Sequence, residues 1–170
     1  PWRDFELEIS SNVLIPRQET ELLIDLALEK IKNIKVGTWA DLGTGAGPLA
    51  ISLAKSLPNW KGHAVDISYD ALKLAKRNLN VLVPNAKVDF LLGNWWEPLK
   101  KYSGSFELVL SNPPYIPTNL IQDLHPVVKN HEPHIALDGG EDGMDASRKI
   151  IFGSLNGLCK GGWLILEHHH

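Results

Sequence analysis

The sequence predicts an α/β protein: a mostly parallel sheet with helices on both faces. Three observations predict it. Short apolar runs alternate with segments whose apolar residues recur at helical spacing, the pattern of parallel strands joined by helical crossovers. The run at 106–111, Phe-Glu-Leu-Val-Leu-Ser, is apolar at nearly every position, as a central strand buried on both faces requires. The chain has 170 residues and is 44% hydrophobic, enough for one domain with a substantial core.

In chain order, Glu19–Ile31 reads as an amphipathic helix with Leu22, Leu23, Leu26 and Ala27 inward. Residues 38–42 read as a first strand that runs into glycines. Residues 49–57 form a helix with Ala50, Leu53, Ala54 and Leu57 at helical spacing. Residues 63–67 give a second strand, followed by a helix with Leu72, Ala75, Leu79 and Leu82 on one face. Strands follow at 88–92 and 106–111. Residues 146–158 are helical with Ile150, Ile151, Leu155 and Leu158 inward, Gly161-Gly162 breaks that helix, and Trp163–Leu166 begins a fifth strand. Two segments resist regular structure. One runs from Pro113 to Pro126 with prolines at 113, 114, 117 and 126; the other, residues 131–145, holds Gly139, Gly140 and Gly143 among acids. Loops of this length in a compact domain are usually functional or disordered.

Composition narrows the function classes. The net charge is −3 and the 17 basic residues are scattered, which argues against a nucleic-acid grip. The densest basic group, Lys30, Lys32 and Lys35, reads as a solvated surface at a helix end. No run approaches the roughly 20 apolar residues that span a bilayer, and no signal-peptide pattern opens the chain. The single cysteine, Cys159, cannot form an internal disulfide, which fits a cytoplasmic or organelle-interior protein. It reads as a small residue at a helix end. His63, His125, His131 and His134 lack metal-ligand spacing, so no metal is expected. His168-His169-His170 reads as a purification-tag remnant; Leu166 and Glu167 fit either the native chain or the tag.

Two motifs carry chemistry. Asp41-Leu42-Gly43-Thr44-Gly45-Ala46-Gly47 follows a strand and opens a helix. Glycines there allow a tight turn and let a ligand approach the backbone, and the helix start offers unpaired N–H groups. A dinucleotide fingerprint wants glycine or alanine where Pro48 stands, so NAD fits poorly. Asp66, at the end of the second strand, can accept both hydroxyls of a ribose. Either feature alone also fits a plain turn or cap; both in this order point to a nucleoside.

Asn112-Pro113-Pro114-Tyr115 comes directly off the fourth strand. Ligands of open α/β sheets gather at the carboxyl ends of strands. The prolines fix φ and remove N–H donors, so carbonyl oxygens are left to accept. The Asn112 side-chain oxygen and the Pro113 carbonyl can take the two N–H bonds of an –NH2 group, and Tyr115 adds a flat surface. Such acceptors would aim a nitrogen lone pair at an electrophile and stabilise charge developing on it. A plain Pro-Pro turn is the alternative.

The glycine loop with its acid one strand later resembles motifs I and II of class I AdoMet methyltransferases. Asn112–Tyr115 resembles motif IV of N-methyltransferases that act on base amines or glutamine amides. Ile15-Pro16-Arg17-Gln18-Glu19-Thr20-Glu21, Gly93-Asn94-Trp95, and residues 132–143, which include Ala-Leu-Asp-Gly-Gly, closely resemble the release-factor glutamine N5-methyltransferases (PrmC/HemK family) from about Trp2 to Leu166. The resemblance implies a class I (Rossmann-like) methyltransferase sheet and S-adenosyl-L-methionine as methyl donor, with S-adenosyl-L-homocysteine as product. It implies a release factor as protein substrate, methylated on the glutamine of its Gly-Gly-Gln motif. Carried over, Gly43, Thr44, Gly45, Ala46, Gly47, Asp66, Trp95 and Asn112 bind the cofactor, with Asp41 stabilising the loop or facing the methionine amino group. Asn112, Pro113, Pro114 and Tyr115 hold the glutamine, and Pro16 and Arg17 help wall the site. The family often has proline where Gln18 stands and aspartate where Asn94 stands. It also carries an N-terminal helical domain and two further strands. Residues 1–167 are therefore expected to be a catalytic domain without that helical domain and with its last strands cut off, acting as a monomer with no nucleic-acid or membrane partner. A base-directed N-methyltransferase and a non-catalytic AdoMet-binding module are the rival readings.

Overall fold

The computed structural model describes residues 1–11, 13–125, 128 and 132–168; Pro126, His131, His169 and His170 lie outside the described residues. Strands β1 (Thr38–Leu42), β2 (Lys61–Asp66), β3 (Val88–Leu92), β4 (Phe106–Ser111) and β5 (Leu158–Leu166) form one sheet in the order β3-β2-β1-β4-β5, with every pairing parallel. Strand order reverses beside β1, and β2 and β4 flank it on either side. That is the switch point where open α/β sheets bind ligands.

Helices α1 (Glu21–Ile31), α2 (Pro48–Ser56) and α3 (Tyr69–Leu82) cover one face. Their apolar residues, Ile24, Ala27, Leu53 and Leu79 among them, pack on Trp39, Ala64, Leu108 and Leu110. Helix α4 (Asp145–Gly157) and the 3-10 turn Glu97–Tyr102 cover the other face, where Ile150 and Leu99 join Ala40, Leu42, Val65 and Val109. The sheet is thus buried on both sides, as its continuous apolar strands require.

Local chemistry sets the helix ends. Pro48 occupies the first turn of α2, where its missing N–H costs nothing. Ser68 caps α3, its Oγ accepting from the Ala71 N–H at 3.2 Å. Helix α3 stops at Val83 because Pro84 disfavours the helical conformation in the residue before it, and Val83 turns out at φ −142°.

Four expectations need correction. In α1, Leu22 and Leu26 are exposed, and Leu23, Ile24, Ala27 and Ile31 face the sheet. The segment is apolar around most of its circumference, so periodicity alone cannot choose the stripe. In α4, Ile151, Phe152 and Leu155 are exposed, and the face turned inward carries Ala146, Ser147, Ile150 and Gly157. Leu158 and Cys159 belong to β5, not to a helix end. Gly161-Gly162 breaks no helix: it sits in a bulge where β5 skips register between Phe106 and Leu108. Gly161 takes φ +81°, and any Cβ on Gly162 would stand 2.6 Å from the Phe106 carbonyl oxygen. By alternation Phe106 should share a face with Leu108 and Leu110; beside the bulge it joins the opposite core instead.

The N-terminal segment is part of the same core. Trp2 is buried and donates its indole N–H to Ser52 Oγ at 3.0 Å. The buried Asn78 amide accepts from the Glu8 N–H and donates to the carbonyls of Glu8 and Ala46, tying this segment to α3 and the glycine loop.

Candidate active site

The carboxyl ends of β1, β2, β3 and β4 open on a cavity of about 690 Å³, within the range of small-molecule and cofactor sites. Its walls include Gly43, Thr44, Gly45 and Ala46 after β1, Asp66 at the end of β2, Gly93, Asn94 and Trp95 after β3, and Asn112 and Pro114 after β4.

Gly45 holds φ +56° with nothing within 4 Å of the place a Cβ would take, so the loop lies open to the cavity there. Gly47 holds φ +90° and abuts Ala75 of α3, where a Cβ would come to 3.1 Å from the alanine Cβ. It shapes the turn into α2 and does not line the cavity. Asp41 lies wholly buried beneath the loop. One carboxyl oxygen accepts from the Thr44 hydroxyl at 2.7 Å and the Ala50 N–H at 3.2 Å; the other is buried with no partner among the described residues. Burial, against the opposing Thr44 bond, pushes its pKa up to about 7. Asp41 therefore holds the loop from below and does not wall the cavity.

Asp66 is half-buried and held by two backbone donors, Gly45 N–H to Oδ2 and Ser68 N–H to Oδ1, both at 2.9 Å. Each oxygen keeps lone pairs for a ligand. Burial raises its pKa above the usual aspartate value despite those donors. Trp95 is a non-glycine residue at φ +49°, a conformation that turns its ring against the glycine loop: a Cβ on Gly43 would meet that ring at 3.2 Å. Asn94 lines the cavity and gives its backbone N–H to Glu97 Oε2 at 3.3 Å.

Asn112 is steered from across the cavity. Its Nδ2 donates to the Oγ1 of Thr20, a buried residue that also lines the cavity, at 3.0 Å. Pro114 lines the cavity, whereas Pro113 is buried and Tyr115 points elsewhere, its hydroxyl donating to Glu167 Oε1 at 3.1 Å. Burial, and then the neighbouring Glu167 carboxylate, push the Tyr115 hydroxyl up to about 12. The tetrapeptide thus divides, with Asn112 and Pro114 facing the ligand space while the Pro113 ring and the Tyr115 side chain support it.

The two irregular segments meet. Ile116 N–H donates to Leu137 O, Gly139 N–H to Ile116 O, and Thr118 N–H to Gly140 O. A side chain on Gly139 would stand 2.8 Å from the Tyr115 Cα, so only glycine allows this approach. The pairing brings Pro133, His134, Ile135 and Ala136 to the cavity wall. Arg17 reaches from the other rim to Glu132 at 2.6 Å, and that carboxylate is almost wholly buried. Arg17 itself does not line the cavity; Pro16 does.

Sequence reasoning missed Thr20 as a partner of Asn112, Lys149 and Ala146 of α4 on the cavity wall, and the wall formed by Trp2, Val13 and Leu14. Only Thr20 carried a signal, its place in Arg17–Thr20; the others are brought in by packing between distant segments.

Residues 18–129 match the family model described as methyltransferase small domain. The chain is 58% identical to a release factor glutamine methyltransferase of Prochlorococcus marinus, covering 99% of this chain and 58% of that protein. A protein of the same name from a Synechocystis species is 41% identical, covering 98% and 57%. The chain thus spans somewhat more than half the length of these curated relatives. Among solved structures, the catalytic domain of hMettl16 in complex with a MAT2A 3'UTR hairpin superposes with TM-score 0.69 at 19% identity, covering 88% of this chain and 56% of that one. The YcgJ protein of Bacillus subtilis gives 0.58 at 17%, covering 88% and 51%. At these identities the structures share the fold alone.

Proposed function

The chain belongs to the methyltransferase small domain family, and from that premise we propose that it is a catalytic domain which moves a methyl group from S-adenosyl-L-methionine to the side-chain nitrogen of the glutamine in a release factor's Gly-Gly-Gln motif. One observation carries the reading: Asn112, just past the end of β4, walls the same cavity as Gly45, Asp66 and Trp95. The likeness to proteins named release factor glutamine methyltransferase across nearly the whole chain supports it.

The residues fit the cofactor. Gly45 leaves open space where a side chain would intrude. Asp66 is pre-oriented by two backbone N–H groups to receive ribose hydroxyls. Trp95 and Asn94 flank the place of a purine, the first with an aromatic edge and the second with a polar one. When bound, S-adenosyl-L-methionine supplies a methyl group on a positively charged sulfur, open to in-line displacement.

The chain's own work is to position the acceptor. Asn112 Oδ1 takes one N–H of the glutamine amide. The second acceptor is the Pro113 carbonyl, in the peptide unit shared with Pro114. Two acceptors hold the –NH2 in one plane, draw its lone pair toward nitrogen and stabilise the charge that develops there. The apolar edge of Pro114 limits water at the same point. The nitrogen's surplus proton is released to water after the transfer, since neither acceptor is a base that would keep it.

The test is calorimetric titration with S-adenosyl-L-methionine followed by transfer of labelled methyl to a purified release factor. Saturable binding and labelling of Gly-Gly-Gln, absent from a Gly-Gly-Ala variant, are expected. Labelling of DNA or ribosomal RNA in place of the release factor would overturn the assignment.

A further inference from the structure

An asparagine amide has an accepting end and a donating end, related by a half-turn of its terminal torsion. Only the accepting end can hold a substrate –NH2, because a donor facing that group would repel it. The side chain must also be held where that end can reach the nitrogen, and a neighbour does this by bonding the opposite end.

We propose that Thr20 is the positioning residue that pins the side chain of Asn112 beside the acceptor nitrogen, where its amide oxygen can take a substrate N–H. This rests on the methyl-transfer reading above and extends it to a residue that acts through Asn112. The geometry is direct. Thr20 Oγ1 accepts from Asn112 Nδ2 at 3.0 Å across 92 residues of sequence. Thr20 is 3% exposed, so water does not compete for that hydroxyl. The bond occupies the nitrogen end, and among the described residues no protein donor engages Oδ1. Thr20 is itself anchored, its backbone N–H bonding Arg17 O at 3.2 Å where the chain enters α1, and α1 packs against β4. The hydroxyl is therefore carried on a rigid element docked to the strand that delivers Asn112. The threonine hydroxyl can accept from Nδ2 or donate to Oδ1, so it holds the amide in place in either sense, and the N–H bonds of the substrate select the oxygen end.

The experiment uses Thr20→Val, which keeps the shape and removes the hydroxyl, Thr20→Ser, which keeps the hydroxyl, and Asn112→Ala. Thr20→Val should lower kcat for release-factor methylation about 10- to 100-fold with calorimetric affinity for S-adenosyl-L-methionine and Tm nearly unchanged. Thr20→Ser should return kcat to within about threefold of the parent. Thr20→Val combined with Asn112→Ala should be no slower than Asn112→Ala alone, because the threonine acts only through the asparagine. A second readout needs no acceptor substrate: in protein labelled with 15N at asparagine, the Asn112 side-chain amide protons, identified by their loss in Asn112→Ala, should exchange faster with water in Thr20→Val than in the parent or Thr20→Ser. An unchanged exchange rate, or an additive loss of kcat in the double variant, overturns the proposal. If the parent binds the cofactor but methylates no release factor, while the exchange rates behave as expected, the substrate reading fails and the positioning role stands.

Discussion

Replacing Gly153 by alanine sets two known effects against each other. In an exposed helix the change should stabilise by about 1 kcal/mol, because glycine carries an entropic penalty. Here a Cβ on Gly153 would fall 1.9 Å from Trp96 Cδ1 and 2.4 Å from Nε1. Ordinary carbon contacts are roughly 3.5–4.0 Å, so the ring or the helix must move by more than an ångström. Such overpacking costs about 1–3 kcal/mol. The indole N–H also donates to Ile150 O at 2.9 Å, and displacing it puts about 1 kcal/mol more at risk. The net expectation is a loss of about 2 kcal/mol, or roughly 4–8 °C in Tm for a chain of this length. Because Trp95 precedes that ring and holds φ +49° at the cavity wall, affinity for S-adenosyl-L-methionine should fall as well. Differential scanning calorimetry of Gly153→Ala, Trp96→Leu and the double variant checks this. The double variant should lose less than the two single losses added together, since the smaller side chain makes room for the methyl. A rise in Tm for Gly153→Ala would refute the packing argument, leaving helix propensity in control.

Asp66→Ala should weaken calorimetric affinity for S-adenosyl-L-methionine at least tenfold, the order expected for two charge-assisted hydrogen bonds. In the parent, affinity should fall on acidification at a pH above the ordinary aspartate range, because burial raises the Asp66 pKa. Asp41→Asn addresses stability. With the folded pKa raised to about 7 from the 3.8 of a free aspartate, the folded chain keeps a proton that the unfolded chain releases, so stability should decline as pH rises between those values. The slope corresponds to at most about 4 kcal/mol over that window, and urea midpoints of the asparagine variant should be nearly flat there. Tyr115→Phe removes the bond to Glu167 from a residue that does not wall the cavity. Steady-state methylation should retain kcat within about threefold, and a loss as large as that of Asn112→Ala would place the hydroxyl at the reacting nitrogen.

The α/β alternation, the strand cores and the chain order of the chemical groups were legible in the amino-acid sequence alone. Those are local properties: continuous apolar runs, glycines before a helix, and prolines that forbid hydrogen-bonded continuation. The sequence also marked Asp66 and Asn112, since residues at the carboxyl ends of parallel strands fall on one edge whatever fills the core. Tertiary structure decided which stripe of α1 is buried, because its apolar residues encircle the helix and only contact with β4 and β5 selects Ile24 over Leu22. It decided the inward face of α4 as well. There the glycines Gly153 and Gly157 make room for Trp96, and a reading that follows large apolar residues turns the helix the wrong way. The pairing of Ile116 with Leu137 and Gly139, and the bond from Asn112 to Thr20, join residues far apart in sequence. A hydrogen bond is fixed by distance and direction in space, and neither is encoded in spacing along the chain.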